Sequence, residues 1–433
     1  MLIRLIITMV LPMINIEGKV VQFEKVAGGH RSLQSRGLKI SETDLDFSSH
    51  SLRFAKMVDT KSSENSDDLT SVEAIYYVGP LVVGDQTFQV IYDTGSNLVW
   101  VPGPACGSEC GSHSTYTGVS TSADQDFDLM YGSGPVSGVM VYAPVTLADA
   151  SLSSFKLGLA DEVGFSGYTS SEFEGILGLA WPGLNSDLNV PAIVPALFAA
   201  NEIAGNLFTI YLSADGSGGE LNLGEIDSTR YQGEISWMPL VRELWWSVHF
   251  VDLTIGSAVS TATASSGLAI IDSGTSLIIG PTDAIYTLMD SIQTSTGIPV
   301  YFDSSQQIFA VLCEDVPLLP DLSFLLAGAD GQSYKFTMPG ASYVVSTLTS
   351  DPSICPLGLQ GSDSLEGASS GSVSWILGDP FLRTFYTIYD YAGERVGVAA
   401  AFPSAGTTIP GDLVKGAVFL SSAAAILAVL ILL

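Results

Sequence analysis

Two short segments carry residue types that could do chemistry together. Val90-Ile91-Tyr92-Asp93-Thr94-Gly95-Ser96 has a counterpart in Ala269-Ile270-Ile271-Asp272-Ser273-Gly274-Thr275. In each, an apolar run leads straight into an aspartate, and a hydroxyl residue, a glycine and a second hydroxyl residue follow. A lone Asp-Thr-Gly is usually a surface turn, but an apolar lead-in of this kind belongs to a buried strand. Two carboxylates brought together cannot both ionise cheaply, so such a pair shares a proton. The ionised member can then take a proton from water while the protonated member polarises a carbonyl. This is hydrolytic chemistry with no cofactor, and Asp93 and Asp272 are its candidate catalytic residues. Gly95 and Gly274 let backbone approach the site closely. Thr94 and Ser273 could tie the two turns together, and Ser96 and Thr275 could orient the outer carboxylate oxygens.

The duplication extends further, because Ile176-Leu177-Gly178 follows the first aspartate and Ile376-Leu377-Gly378 the second. Two related units, each offering one aspartate at a strand end, predict a mostly β, bilobal protein with its site at the junction. Apolar β-rich runs support this at Ala74–Val83, Gln89–Val101, Leu207–Leu212, Leu268–Ile279, Trp375–Leu377 and Phe385–Asp390. Helical periodicity is restricted to Val194–Asn201 and Asp283–Ser295. The 44 glycines and 20 prolines are scattered without period, as in a chain of many strands and turns.

The net charge of −29 is uneven. Residues 1–71 carry nine basic and nine acidic side chains, which leaves seven basic against 36 acidic in the remainder. Such a surface repels nucleic acid and anionic lipid heads, and it loses self-repulsion as the pH falls toward the carboxylate range. Four cysteines fit two disulfides of an oxidising compartment, with three pairings open. Cys106–Cys110 would close a very short loop in a Gly/Ser-rich turn, leaving Cys313–Cys355 across a longer excursion. With no Cys-x-x-Cys and four scattered histidines, no metal is expected.

The ends differ from the body. Residues 1–16 place Arg4 before an apolar run and read as a signal peptide, and residues 17–71 read as a pro-segment with a flexible link near 61–71. The body divides into an N-terminal lobe, 72–236, and a C-terminal lobe, 237–405. The small residues Ser404, Ala405 and Gly406 lead into the terminal segment 406–433, in which a spacer, Thr407–Lys415, precedes the apolar run Gly416–Leu433. That is the pattern of a glycolipid-anchor signal, and a retained membrane helix is its alternative.

On these motifs the chain resembles the pepsin-like aspartic endopeptidases, including cathepsin D and the fungal secreted enzymes, over about residues 75–403. Asp93–Pro102 and Ile271–Leu277 look like the two active-site segments, Phe173–Trp181 and Trp375–Leu382 like the two core segments, and Met130–Gly134 like the tip of the flap hairpin. The resemblance implies that Tyr131 is the flap tyrosine with Trp100 as its hydrogen-bonding partner. It also implies that the backbones of Gly132, Ser133, Gly274 and Thr275 bind an extended peptide. Further implications are a monomer acting on peptide or protein substrates at acidic pH and a basic pro-segment that inhibits the acidic mature domain. Lys56 and Lys61 are candidates to approach the dyad. Ser273 stands where Thr is commoner, Glu174 where Asp is commoner, and the Cys106–Cys110 loop is one residue short. Two other readings compete: a pepsin-like surface binding protein with weak catalysis, and a serine hydrolase built on Gly367-Ala-Ser-Ser-Gly371. Neither aspartate, the flap tyrosine nor the turn hydroxyls are missing, and the serine motif lacks a preceding strand.

Overall fold

The computed structural model describes residues 19–27 and 75–402, apart from 166, 217, 257–258, 261–266, 305–306, 330, 346–347, 349–350, 352 and 363–372. The expected signal peptide, the candidates Lys56 and Lys61, the 61–71 link, the apolar tail and the Gly367–Gly371 motif lie outside the described residues.

The fold is mostly β. Each aspartate strand is held in the same way. Strand Gln86–Asp93 runs parallel to Gly175–Gly178, and the chain leaving the first turn, Val99–Pro102, returns antiparallel to that same short strand. Strand Gly267–Ile271 runs parallel to Val373–Leu377, and Ile278–Gly280 returns antiparallel to it. The β-rich runs Gln89–Val101 and Leu268–Ile279 each form two strands broken at the aspartate turn, with the aspartate at the end of the first, as expected. The Ile-Leu-Gly segments are the strands over which the turns cross. The first is buried throughout and the second largely so, and both read as unbroken apolar sequence. Their glycines are set by close approach: a Cβ on Gly178 would lie 2.5 Å from the Asn97 carbonyl carbon, and one on Gly378 would overlap the carbonyls of Thr275 and Leu277.

The first aspartate strand belongs to a 13-stranded sheet. At one end of its order lie the long strands Ala150–Val163, Gly134–Leu147 and Thr121–Tyr131. At the other end are Leu207–Leu212, Phe385–Asp390, Arg395–Ala401 and Tyr231–Pro239. Lys19–Ala27 is inserted between Gly218–Leu223 and Ile75–Val83, so the segment read as pro-segment contributes a strand to this sheet. Tyr231–Pro239 straddles the boundary expected at 236/237 and pairs with Arg395–Ala401, near the far end of the body. The second aspartate strand sits in an eight-stranded sheet, and a three-stranded sheet flanks it.

Helices are few. Thr282–Thr296 buries Ala284, Ile285, Leu288, Met289 and Ile292, an i, i+3/i+4 stripe that faces the core. Gly297 ends it at φ +76°, donating its N–H to the Gln293 carbonyl. Ile193–Ala199 is the second expected helix. Both disulfides form as Cys106–Cys110 and Cys313–Cys355. A separate cluster of Trp100, Phe127, Phe165, Tyr168 and Phe173 underlies the Thr121–Leu147 hairpin.

Candidate active site

Asp93 ends its strand and Asp272 follows its own, and both are buried, each with 7% of its surface exposed. Their settings match atom for atom. The Gly95 N–H donates to Asp93 Oδ1 at 2.8 Å, and Ser96 Oγ to Asp93 Oδ2 at 2.5 Å. The Gly274 N–H donates to Asp272 Oδ1 at 2.8 Å, and Thr275 Oγ1 to Asp272 Oδ2 at 2.6 Å. Each carboxylate is thus fixed by one backbone and one hydroxyl donor from its own turn.

The turns also grip one another. Thr94 Oγ1 donates to the Ile271 carbonyl at 2.9 Å, and Ser273 Oγ donates to the Tyr92 carbonyl at 2.6 Å. The Thr94 N–H donates to Ser273 Oγ at 3.1 Å, and the Ser273 N–H to Thr94 Oγ1 at 3.0 Å. These four bonds join residues about 180 positions apart in sequence and bring the carboxylates face to face. Neither Gly95 nor Gly274 has a positive φ, so turn conformation does not require them. Space does: a Cβ on Gly95 would stand 2.6 Å from Asp272 Oδ2, and one on Gly274 would stand 2.6 Å from Asp93 Cγ.

Both carboxyls are held above the ordinary carboxylate range. Burial is the first cause for each, and for Asp93 the charge of Asp272 comes next. The Ser96 and Gly95 donors oppose the rise at Asp93, and the Thr275 and Gly274 donors at Asp272. A site of this kind holds one proton between two acids and can give and take it.

The Thr121–Tyr131 and Gly134–Leu147 strands form a hairpin in which Tyr131 pairs with Gly134. Gly132 and Ser133 lie at its tip, with Gly132 exposed. The Tyr131 ring meets Phe165 edge-on at 5.4 Å, and Phe165 meets Trp100 edge-on at 5.9 Å. Burial, and then the charge of Asp93, raise the Tyr131 pKa, so the phenol lies close to the dyad. The expected hydrogen bond to Trp100 is not closed. Ser96 and Trp100 are near enough to draw the phenol's pKa down, yet neither Tyr131 Oη nor Trp100 Nε1 finds a partner of ordinary geometry. The indole is held by edge-on and tilted packing against Phe165 and Tyr168 instead.

Some support around the site had no signal in the sequence. Asn97, 1% exposed and adjacent to Ser96, accepts from Asn185 Nδ2 at 2.6 Å. The Tyr389 hydroxyl is buried near Thr94 and Asp272, which both act on its pKa. Only the pairing of distant strands brings these groups together. Among the described residues, no group of three or more His, Cys, Asp or Glu side chains could hold a metal.

The family model described as eukaryotic aspartyl protease matches residues 76–401. Gastricsin of Cavia porcellus is 30% identical over 408 residues, covering 92% of this chain and 98% of that protein. Chymosin of Callithrix jacchus is 32% identical over 343 residues, covering 78% of this chain and 84% of its own. Cathepsin E of Mus musculus is 29% identical over 387 residues, covering 86% and 93%.

Proposed function

The chain belongs to the eukaryotic aspartyl protease family and is an aspartic endopeptidase, and on that premise we propose that Asp93 and Asp272 act as one acid–base dyad, at acidic pH, on extended peptides. The observation that carries this is the mutual approach of the two carboxylates: each is so near the other's turn that a single methyl group on Gly95 or Gly274 would collide with it.

In the proposed cycle one carboxylate is ionised and its partner protonated. The ionised oxygen takes a proton from a water, whose oxygen attacks the peptide carbonyl carbon. The protonated carboxyl gives its proton to the carbonyl oxygen, and a neutral gem-diol forms. Return of a proton to the leaving nitrogen breaks the C–N bond and yields a carboxylic acid and an amine, with the dyad again sharing one proton. Ser96 and Thr275 hold the outer oxygens so that the inner pair faces the substrate. The backbones of Gly132 and Ser133 on the flap, and of Gly95, Gly274 and Thr275 below, bind the peptide as an added strand. Tyr131 closes over the scissile bond. Activity ends as rising pH ionises both carboxyls.

Two further parts of the proposal concern handling in the cell. The chain enters the secretory pathway as a monomer inhibited by its own pro-segment, which the inserted strand Lys19–Ala27 supports. The tail pattern supports a glycolipid anchor at the cell surface. Release of the protein by a phosphatidylinositol-specific lipase is expected, and full retention in the membrane fraction would remove this part.

The test of the dyad is cleavage of a fluorogenic peptide at acidic pH, blocked by pepstatin. Asp93→Asn and Asp272→Asn are each expected to abolish nearly all turnover with the fold retained. Full activity in either variant sinks the assignment.

A further inference from the structure

Beneath the two turns lies a box of five aromatic side chains from distant parts of the chain: Trp181, Phe208, Trp246, Tyr389 and Tyr391. Trp246 sits 5.3 Å from Trp181, 5.2 Å from Tyr389 and 4.8 Å from Tyr391, and Phe208 stacks on Tyr389 at 4.6 Å. Ring burial on this scale is ordinary core packing. The polar atoms are less ordinary. Trp246 Nε1 donates to the Leu179 carbonyl at 2.9 Å, and Tyr391 Oη donates to the same carbonyl at 2.7 Å. Tyr391 Oη also lies 3.3 Å from the Ala180 carbonyl. Two buried donors from the second half of the chain thus converge on one peptide of the first half.

That peptide and the one before it hold the first aspartate turn at both ends. The Leu179 N–H donates to the Asp93 carbonyl at 2.8 Å, and the Ala180 N–H to the Ser96 carbonyl at 2.8 Å. Ser96 in turn orients Asp93 through its hydroxyl. The second turn is supported differently. There the Asp379 N–H donates to the Thr275 carbonyl at 2.9 Å, and the chain continues at once into the helix Asp379–Thr384. After Ala180 the chain instead enters a short 3₁₀ turn, Pro182–Asn185. Where the second turn leans on an α-helix, the first leans on side chains of the other lobe.

We infer that Tyr391 and Trp246 are positioning residues for the first catalytic turn: by sharing the Leu179 carbonyl they fix the Leu179–Ala180 peptide, and through it the orientation of Asp93 and Ser96. The inference rests on the dyad reading above. Neither side chain touches substrate, and each acts through main-chain atoms whose placement sets the distance between the carboxylates.

Tyr391→Phe and Trp246→Phe keep a ring in the box and remove one donor each. Steady-state kinetics on the fluorogenic peptide across pH, with melting temperatures alongside, provide the test. Each variant is expected to lower kcat about fivefold to tenfold with KM within about twofold, as loss of alignment does. The basic limb of the kcat profile is expected to move to lower pH, because a loosened turn lets the carboxylates separate and hydrate. The double variant should lose more than the product of the two singles, since it leaves the Leu179 carbonyl with neither donor. Should Tyr391→Phe not fold, Trp246→Phe tests the same carbonyl alone. Folded variants that melt earlier but keep wild-type kcat and the wild-type limb overturn the inference and reduce the box to packing. A wild type that does not cleave, or an active Asp93→Asn, overturns the dyad reading and this one with it. Wild-type cleavage lost in Asp93→Asn but intact in both ring variants overturns this one alone.

Discussion

Gly95 and Gly274, between the two carboxylates, offer a perturbation whose size follows from the geometry. Replacing Gly95 by alanine puts a Cβ 2.6 Å from Asp272 Oδ2 and 2.7 Å from its Cγ and Oδ1, where ordinary contact begins at 3.4 Å. The whole carboxyl face lies in the way, so no rotation of Asp272 clears it. Either the turn backs off or the carboxylate leaves the Gly274 N–H and Thr275 Oγ1 that hold it at 2.8 and 2.6 Å. Both responses shift the dyad by the better part of an ångström, and a misplacement of ~1 Å costs on the order of 10²-fold in rate. Gly274→Ala should be worse, because its Cβ lies 2.6 Å from Asp93 Cγ, nearer still to Asp93 Oδ1, and 3.3 Å from Asp272 Oδ1 as well. Stability should suffer less. Overpacking costs about 1–3 kcal/mol, and a Gly→Ala change returns about 0.4–1 kcal/mol through the unfolded chain. The assay is kcat and KM on a fluorogenic peptide with a denaturation curve for each variant. The expected result is kcat down on the order of 10²-fold in Gly95→Ala, and further in Gly274→Ala, in proteins that remain folded. A Gly95→Ala enzyme with wild-type kcat would show that the carboxylates are not held face to face, and the dyad geometry would fall with it.

Two more outcomes follow from the carboxyl settings. Ser96→Ala removes the 2.5 Å donor to Asp93 Oδ2, which favours the charged form, so the dyad pKa rises further. The basic limb of the kcat profile should move up by about one pH unit as turnover falls. Asp93→Asn should also change how stability depends on pH. Burial raises the Asp93 pKa above its unfolded value, so its contribution is fully present below the ordinary carboxylate range and is lost as the pH rises through the raised folded value. Melting temperatures of wild type and Asp93→Asn, measured from acid to neutral pH, should therefore diverge in favour of the variant as pH rises. Comparing the two cancels the self-repulsion that both carry, and parallel curves would contradict the raised pKa.

The candidate site was legible in the sequence through repetition. The aspartate turns and their Ile-Leu-Gly sequels are local patterns, and each marks a place where one strand must cross another closely. The helices were legible for the same reason: Asp283–Ser295 was expected and Thr282–Thr296 forms, because the apolar stripe and Gly297 are both local. A flap hairpin with its tip at Met130–Gly134 was expected from resemblance, but the extents of its strands, Thr121–Tyr131 and Gly134–Leu147, and the strand Ala150–Val163 were not read from the residues. Thr121–Tyr131 in particular buries only Phe127 fully and carries Asp124, Asp126 and Asp128, so it reads as a polar loop. The strand Tyr231–Pro239, which straddles the expected lobe boundary at 236/237, had no signal there because its partner lies beyond residue 394. The Tyr131–Trp100 hydrogen bond, expected from resemblance, depends on side-chain rotation that no spacing rule encodes.

What the sequence could least convey is how the halves are joined. An internal repeat suggests two bodies that meet at an interface, yet strands from both halves of the chain share the 13-stranded sheet. Leu207–Leu212 pairs directly with Phe385–Asp390, which pairs in turn with Arg395–Ala401. Chemistry shared between two carboxylates tolerates little relative motion of the elements that carry them. A hinge at the junction would set the proton-sharing distance afresh with each fluctuation. The structure joins the halves by three kinds of restraint: the reciprocal Thr94–Ser273 bonds, the pairing of Phe385–Asp390 with Leu207–Leu212, and the donors of Trp246 and Tyr391 reaching across to Leu179. The first is built from the catalytic motifs and is nearly symmetric. The last comes from one half only, so the two aspartates, alike in their turns, differ in what holds those turns in place.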